Sequence, residues 1–155
     1  MNWDAIGAIG DIVGAFAVVV SLVYLAVQIR VQSKETQALA MHEISAAFRD
    51  SIKQYSENGA ADIFIRAKND IDSLDETERF QLFTSCQQVL RVWEEAYLMH
   101  KNGRLDDDMW IPMAKQFVSF MDLTHISYFW SLRKEFFNDK FRAYVDNCDV
   151  TEYKL

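Results

Sequence analysis

The chain begins with a long run of apolar positions that a single carboxylate interrupts. Residues 5–29 read AIGAIGDIVGAFAVVVSLVYLAVQI, and the 18 residues from Ile12 to Ile29 carry no charge. At about 1.5 Å per residue, a helix of this length exceeds the roughly 30 Å hydrocarbon core of a bilayer. The pattern therefore predicts a transmembrane helix over residues 1–30.

Two other interpretations of this run have less support. A cleaved signal peptide has a basic start and an apolar stretch of about 7–15 residues. Here residues 1–4 contain no Lys or Arg, and the apolar run is longer. A helix buried in the core of a soluble protein is the other alternative, which the pattern alone leaves open.

Small and polar side chains of the predicted span fall on one side of a helical wheel, with Leu25 as the only large apolar residue among them. This small-residue face consists of Gly7, Gly10, Gly14, Ala17, Ser21 and Gln28. Small side chains let helices approach closely in lipid, where apolar burial gives no net driving force. We therefore predict that the span self-associates through this face. A plain lipid anchor is the alternative, because Ala8, Ala15 and Ala26 lie on a different side.

Three polar positions of the span are candidate pore-lining residues: Asp11, Ser21 and Gln28. A carboxylate at membrane depth is costly, so it normally faces a bundle interior or water. In a ring of helices, Asp11 would form a ring of carboxylates, a feature that selects cations. Alternatively, Asp11 reaches headgroup water near the end of the span. Residues 15–20 have no polar side chain, which favours a packed bundle as much as an open channel.

The remaining 125 residues predict one further domain, residues 31–155, that is helical almost throughout. Only one Pro and five Gly occur in the whole chain, so helix breakers are scarce. The first helix is predicted to continue to a cap at Asn58-Gly59, and a short helix follows over 61–68. A long helix opens at 73–76 and ends at 101–103. Aromatic-rich segments around 127–137 and 139–148 close the chain. The fold class is all-α, with a single span continuing into a bundle of about five or six helices.

Spacings of three and four residues predict the buried faces of two of these helices. The first face consists of Ala38, Met41, Ser45, Phe48, Ile52 and Tyr55, and the second of Phe80, Phe83, Cys86, Leu90, Trp93 and Tyr97. A line at steps of seven, from Gly10 through Tyr24 to Ile52, also predicts one continuous helix leaving the membrane. Pro112 predicts that the helix opened by 105–108 either begins late or kinks. A compact core explains the 14% aromatic content better than a groove or a membrane-surface contact does.

The distribution of charged residues predicts on which side of the membrane the domain lies. Arg30 and Lys34 follow the span at once, whereas no basic residue precedes it, so the positive-inside rule predicts a cytoplasmic C-terminal domain. The net charge of −7 argues against nucleic acid as a partner, because nucleic-acid binding needs a basic footprint. The expected partners are therefore copies of the chain itself and the lipid bilayer, with an unidentified cytoplasmic protein as a further candidate.

Motifs for catalysis, cofactors or metals are not found. His42, His100 and His125 lack a second His or Cys at metal-ligand spacing. Cys86 and Cys148 are predicted to be free and buried in a reducing compartment. The acidic run 106–108 is interpreted as a helix cap, because adjacent helical residues point about 100° apart and cannot converge on one ion. We expect no enzymatic activity, no cofactor and no bound metal.

Several stretches resemble a widespread group of small bacterial proteins of unknown function. Those proteins carry a W-x-A-I-G-A-I-G-E-I-V-G-A opening, a Y-L-A-x-Q-I-R exit and then a helical domain, and this chain has closely similar stretches at 3–15 and 24–30. Further similarity lies in WEEAY at 93–97, in Gly103, Leu105, Asp106 and Trp110, in Phe129-Trp130, and in FRAYV at 141–145. Pro112 departs from the pattern. The resemblance implies a bacterial inner-membrane protein and carries no activity to transfer.

Together these observations predict a homo-oligomeric single-pass protein of the bacterial inner membrane. Its N-terminus would lie outside and its domain in the cytoplasm. The bundle of spans is a candidate cation conductor. The alternative is a membrane-tethered helical interaction or scaffold module with no transport activity.

Overall fold

The computed structural model describes residues 3–56 and 59–154, and these residues form helices and connections without any strand. Six α-helices are described: α1 (Trp3–Ser56), α2 (Ala60–Asn69), α3 (Glu76–Lys101), α4 (Asp107–Phe120), α5 (Thr124–Arg133) and α6 (Asp139–Asp146). Two short 3-10 turns cover Ile71–Ser73 and Lys134–Phe136. The all-α class is confirmed, and α1 is one uninterrupted helix as the seven-residue line predicts.

Local sequence signals set both ends of α3. The Asp75 side chain accepts a hydrogen bond from the Glu78 amide, and the Glu78 side chain accepts one from the Asp75 amide, which forms a capping box. At the other end Gly103 has φ 68°, a conformation that favours glycine. Its amide donates to the His100 carbonyl, and the Arg104 amide donates to the Met99 carbonyl. This Schellman arrangement ends the helix where the sequence predicts.

Two other predicted helix boundaries involve Pro112 and Asn58-Gly59. Of the two alternatives predicted at Pro112, a late start is wrong, because α4 starts at Asp107, within the predicted opening at 105–108, and Pro112 lies inside it. Asp106 explains the early start, since its side chain accepts a hydrogen bond from the Met109 amide at 3.0 Å and caps the first turn. Of the cap predicted at Asn58-Gly59, Asn58 lies outside the described residues. Gly59 adopts φ 77° immediately before α2.

The chain divides into two packing units, residues 1–39 and 40–155. The first contains the apolar segment of α1. The domain boundary predicted at residue 30 is the end of the transmembrane span. It differs in kind from the packing division at residue 39, and it stays a prediction. The second unit is a helical domain with a large aromatic core, in which the Trp93 ring stacks on Phe117 with centroids 5.3 Å apart and meets Phe141 edge to face. All three rings are fully buried. A compact core of large residues therefore accounts for much of the aromatic content.

The buried face of the last turns of α1 differs from its prediction at two steps. Ile44 is 1% exposed and Ser51 is 5% exposed, whereas Ala38 and Ile52 are exposed. Ser51 is tolerated inside because its hydroxyl donates to the Phe48 carbonyl at 2.8 Å. The predicted face of α3 is confirmed for Cys86, Leu90, Trp93 and Tyr97, but Phe80 is exposed.

Candidate functional site: the apolar segment of α1 and the helical domain

The N-terminal half of α1 presents large apolar side chains to its surroundings. Among the described residues, α1 alone is long and apolar enough to cross a membrane, and none of its most apolar 18-residue window is buried. Ile12 and Phe16 on one side are 70% and 69% exposed, and Leu25 on the other is 54% exposed. An apolar core helix of a soluble protein would be covered by its own chain, so this segment is a candidate membrane span.

The small-residue face is open along its whole length. Gly7, Gly10 and Gly14 are exposed, and a Cβ atom added at any of them would meet nothing within 4 Å. Within the chain, therefore, no close packing requires glycine at these positions. Glycine in a helix costs about 1 kcal/mol relative to alanine, so its repeated use here is not explained by the fold of one copy.

The polar positions of the segment remain separate from one another in a single chain. Asp11, Ser21 and Gln28 are all exposed on α1. The Ser21 hydroxyl donates to the Ala17 carbonyl at 2.8 Å, so it is satisfied within its own helix. A serine bonded in this way is compatible with lipid surroundings, because no polar group is left without a partner.

In the helical domain, the WEEAY stretch supplies core residues and one buried carboxylate. Glu94 is 8% exposed and accepts hydrogen bonds from the Asn138 amide at 2.5 Å and from Arg91 Nη1 at 2.6 Å. Arg91 also donates to the Phe136 carbonyl, and its guanidinium lies 4.4 Å from the centre of the Phe137 ring. This network ties α3 to the connection between α5 and α6, which gives Glu94 a structural role.

Three aromatic residues of these motifs pack against one another beside the core. Tyr144 of FRAYV stacks on Tyr97 with centroids 4.8 Å apart, and Trp110 contacts both rings at about 6 Å. Arg142 forms ion pairs with Glu135 and Asp139. Tyr97, Trp110, Arg142 and Tyr144 thus have structural roles in this domain.

The titratable residues of the domain do not gather into a metal centre. No group of three or more His, Cys, Asp or Glu side chains within the described residues has the geometry to hold a metal ion. His100 Nε2 lies 3.1 Å from Asp107 Oδ1, and His42 is exposed. Both cysteines are free, with Cys86 buried and Cys148 only half-buried. Burial raises the pKa of the Cys86 thiol to about 12, so it is not a reactive thiolate at neutral pH.

A cavity that the sequence does not predict lies within the domain. It has a volume of about 250 Å³ and is lined almost entirely by apolar side chains, including Ile52, Phe64, Val89, Ile126 and the two tyrosines Tyr55 and Tyr153. Tyr153 belongs to the irregular stretch after α6, where its ring packs on Phe120 and its amide donates to Asp122 Oδ2. No periodic pattern marks this stretch, so hydrophobic spacing gives no signal for it.

Two buried polar side chains near this cavity lack a strong hydrogen-bond partner. Neither ring nitrogen of His125 has a partner, and the Tyr55 hydroxyl has only the Cys86 thiol beside it. His125 is fully buried, and its ring meets Phe64 edge to face with centroids 4.7 Å apart. Burial lowers the pKa of His125 to about 4, so the imidazole is neutral at pH 7. An unsatisfied buried polar group normally costs about 1–3 kcal/mol, which makes both groups notable.

Comparisons of the chain with protein-family models, with curated proteins and with solved structures found no match.

Proposed function

We propose that this chain is a single-pass membrane protein that forms a homo-oligomer through the small-residue face of α1. The supporting observation is that the apolar segment is uncovered on every side while its glycines leave open space for a neighbour. Lipid would cover the large side chains. A second copy would pack against the glycines, because close approach of helices in lipid depends on small residues.

The proposed location is the bacterial inner membrane, with the N-terminus outside and residues 31–155 in the cytoplasm. Arg30 and Lys34 directly after the apolar segment support this orientation under the positive-inside rule. The resemblance of residues 3–15 and 24–30 to the opening and exit of small bacterial proteins favours the same membrane. The proposal includes no catalytic step and no cofactor.

Oligomerisation is tested by comparing two leucine variants that add similar volume to different sides of α1. Gly14→Leu fills the small-residue face, and Ala15→Leu adds bulk outside it. The masses of the particles in mild detergent are measured for the native chain and for both variants. We expect a native oligomer that dissociates at least tenfold more readily in Gly14→Leu and is unchanged in Ala15→Leu. A native monomer, or equal behaviour of the two variants, would contradict the proposal.

Cation conduction by the bundle is the more specific form of this proposal. Asp11 would form a carboxylate ring near the outer end, and Ser21 and Gln28 would be further polar points. Cation flux into liposomes is measured for the native chain and for Asp11→Asn, with Gln37→Asn in the polar stretch after the segment as a control. We expect Asp11→Asn to reduce the flux at least several-fold. Absence of flux for the native chain removes the channel hypothesis and leaves the oligomer untouched.

A membrane-tethered interaction module is the second candidate. Exposed large apolar residues on the domain favour it, since Phe80 is 74% exposed and Leu132 is 53% exposed. Deletion of the whole chain gives the cellular phenotype to be complemented. If the domain alone carries the function, a chain whose residues 5–29 are replaced by an unrelated transmembrane helix should fully reverse that phenotype. Failure of the replaced chain to complement, with normal expression and membrane insertion, would favour the assembling span instead.

A further inference from the structure

The cavity of the helical domain has the composition of a small-molecule site. Its wall brings together side chains from the end of α1, from α2, α3, α4 and α5, and from the irregular stretch after α6. No charged side chain lines it among the described residues. Concave sites that are mostly apolar, with very few polar groups, are typical of binding sites for lipophilic ligands.

The mouth of the cavity is also apolar. Ile52 and Ile65, which line it, are 37% and 45% exposed, and Ala61, which also lines it, is exposed on α2. Large apolar residues at a rim leave a path from solvent that a lipophilic molecule can follow. A charged molecule would lose its hydration along this path without gaining a partner, which is costly.

The Tyr55 hydroxyl is not a binding group for a ligand. The Tyr55 side chain lines the cavity, but its hydroxyl oxygen is fully buried and interacts with the buried Cys86 thiol, so a molecule in the cavity does not reach it. The lining therefore offers a ligand mainly apolar contact.

The volume limits the size of the ligand. A cavity of about 150 Å³ in another protein accepts benzene, so the 250 Å³ here corresponds to about ten non-hydrogen atoms. We infer that the cavity binds a neutral lipophilic molecule of about this size through apolar contact with its lining. This site is independent of the oligomer, so its failure would leave the membrane proposal intact.

Matched probes test the inference on the full chain in lipid nanodiscs. Naphthalene and 1-naphthol have the right size and differ by a single hydroxyl, and both are uncharged at pH 7. Equilibrium dialysis measures binding in excess of nanodiscs without protein. We expect saturable binding of naphthalene at one molecule per chain. 1-Naphthol should bind no more tightly, because its hydroxyl loses hydration in an apolar cavity without gaining a partner.

A second pair of variants locates the binding. Ala61→Trp fills the mouth from an exposed position and should abolish binding of both probes. Ala143→Trp places the same bulk on an exposed position of α6, outside the lining, and should change neither. Circular dichroism checks that each variant keeps its helix content.

Three results would overturn the inference. They are no binding above that of lipid alone, binding that survives Ala61→Trp, and 1-naphthol binding that is tighter than that of naphthalene. If a neighbouring copy of the chain fills the cavity, the native protein would bind no probe while the dissociated Gly14→Leu variant would. That outcome would also overturn the assignment of a small-molecule ligand.

Discussion

At the scale of single residues, His125 links the stability of the domain to pH. Its ring is fully buried, and burial lowers its pKa to about 4, against about 6.5 in an unfolded chain. The unfolded state therefore binds more protons between these values. Stability is highest above about pH 6.5 and falls as the pH drops toward 4, by up to roughly 3 kcal/mol.

Replacing the imidazole should remove this dependence. We expect His125→Leu to be at least as stable as the native chain at pH 7, because two unpartnered nitrogens are lost from an apolar site. Its free energy of unfolding should change much less between pH 6.5 and pH 4. Urea denaturation at a series of pH values measures both effects. His42→Leu, at an exposed position, is the control that should keep the native pH profile. Identical profiles for the native and His125→Leu chains would contradict the prediction.

At the scale of elements, the Glu94 network joins α3 to the connection between α5 and α6. We expect Glu94→Ala to lower the free energy of unfolding by about 3 kcal/mol, because the Asn138 amide and Arg91 lose a charged acceptor. Glu95→Ala removes the same charge from an exposed neighbouring position and should cost less than about 0.5 kcal/mol. Chemical denaturation of both variants measures the difference. Equal costs would show that the network is not a stabilising link.

Helix ends were more predictable than helix faces. The α3 ends depend on Asp75 and Gly103, whose effects on the backbone are local and can be recognised from a few residues. The face of α1 depends on tertiary packing. Ser51 is polar and buried, whereas its neighbour Ile52 is apolar and exposed at the cavity mouth. The apolar pattern therefore predicted burial of Ile52 instead of Ser51.

At the scale of the whole molecule, the second packing unit contains its own core. The aromatic cluster, the Glu94 network and the cavity all lie within residues 40–154. We therefore expect a fragment covering 40–155 to be soluble without detergent and to unfold cooperatively, whereas the full chain should need detergent or lipid. Thermal denaturation followed by circular dichroism, with ultracentrifugation, measures both properties. A fragment that is unfolded or aggregated in buffer would contradict this expectation.

The candidate span and the cavity differ in how far sequence could reveal them. The candidate span contains the uncharged run 12–29, so hydropathy marks it as a candidate without knowledge of any fold. The cavity joins Tyr55, Phe64, Val89 and Tyr153, which are separated by up to about a hundred positions and share no spacing. Only the packing of the helices brings these residues together. The small-residue face could be identified on a helical wheel, but the partner that we propose for it is a second copy of the chain.

The distribution of the four tryptophans makes the native chain a spectroscopic reporter. Trp3 is 69% exposed in the apolar unit, whereas Trp93 and Trp130 are buried in the domain and Trp110 is half-buried. Brominated lipids quench indole fluorescence at short range, so they would dim the emission of Trp3 and spare that of Trp93. The depth of the N-terminus in a bilayer and the unfolding of the domain could thus be followed separately, without any attached dye.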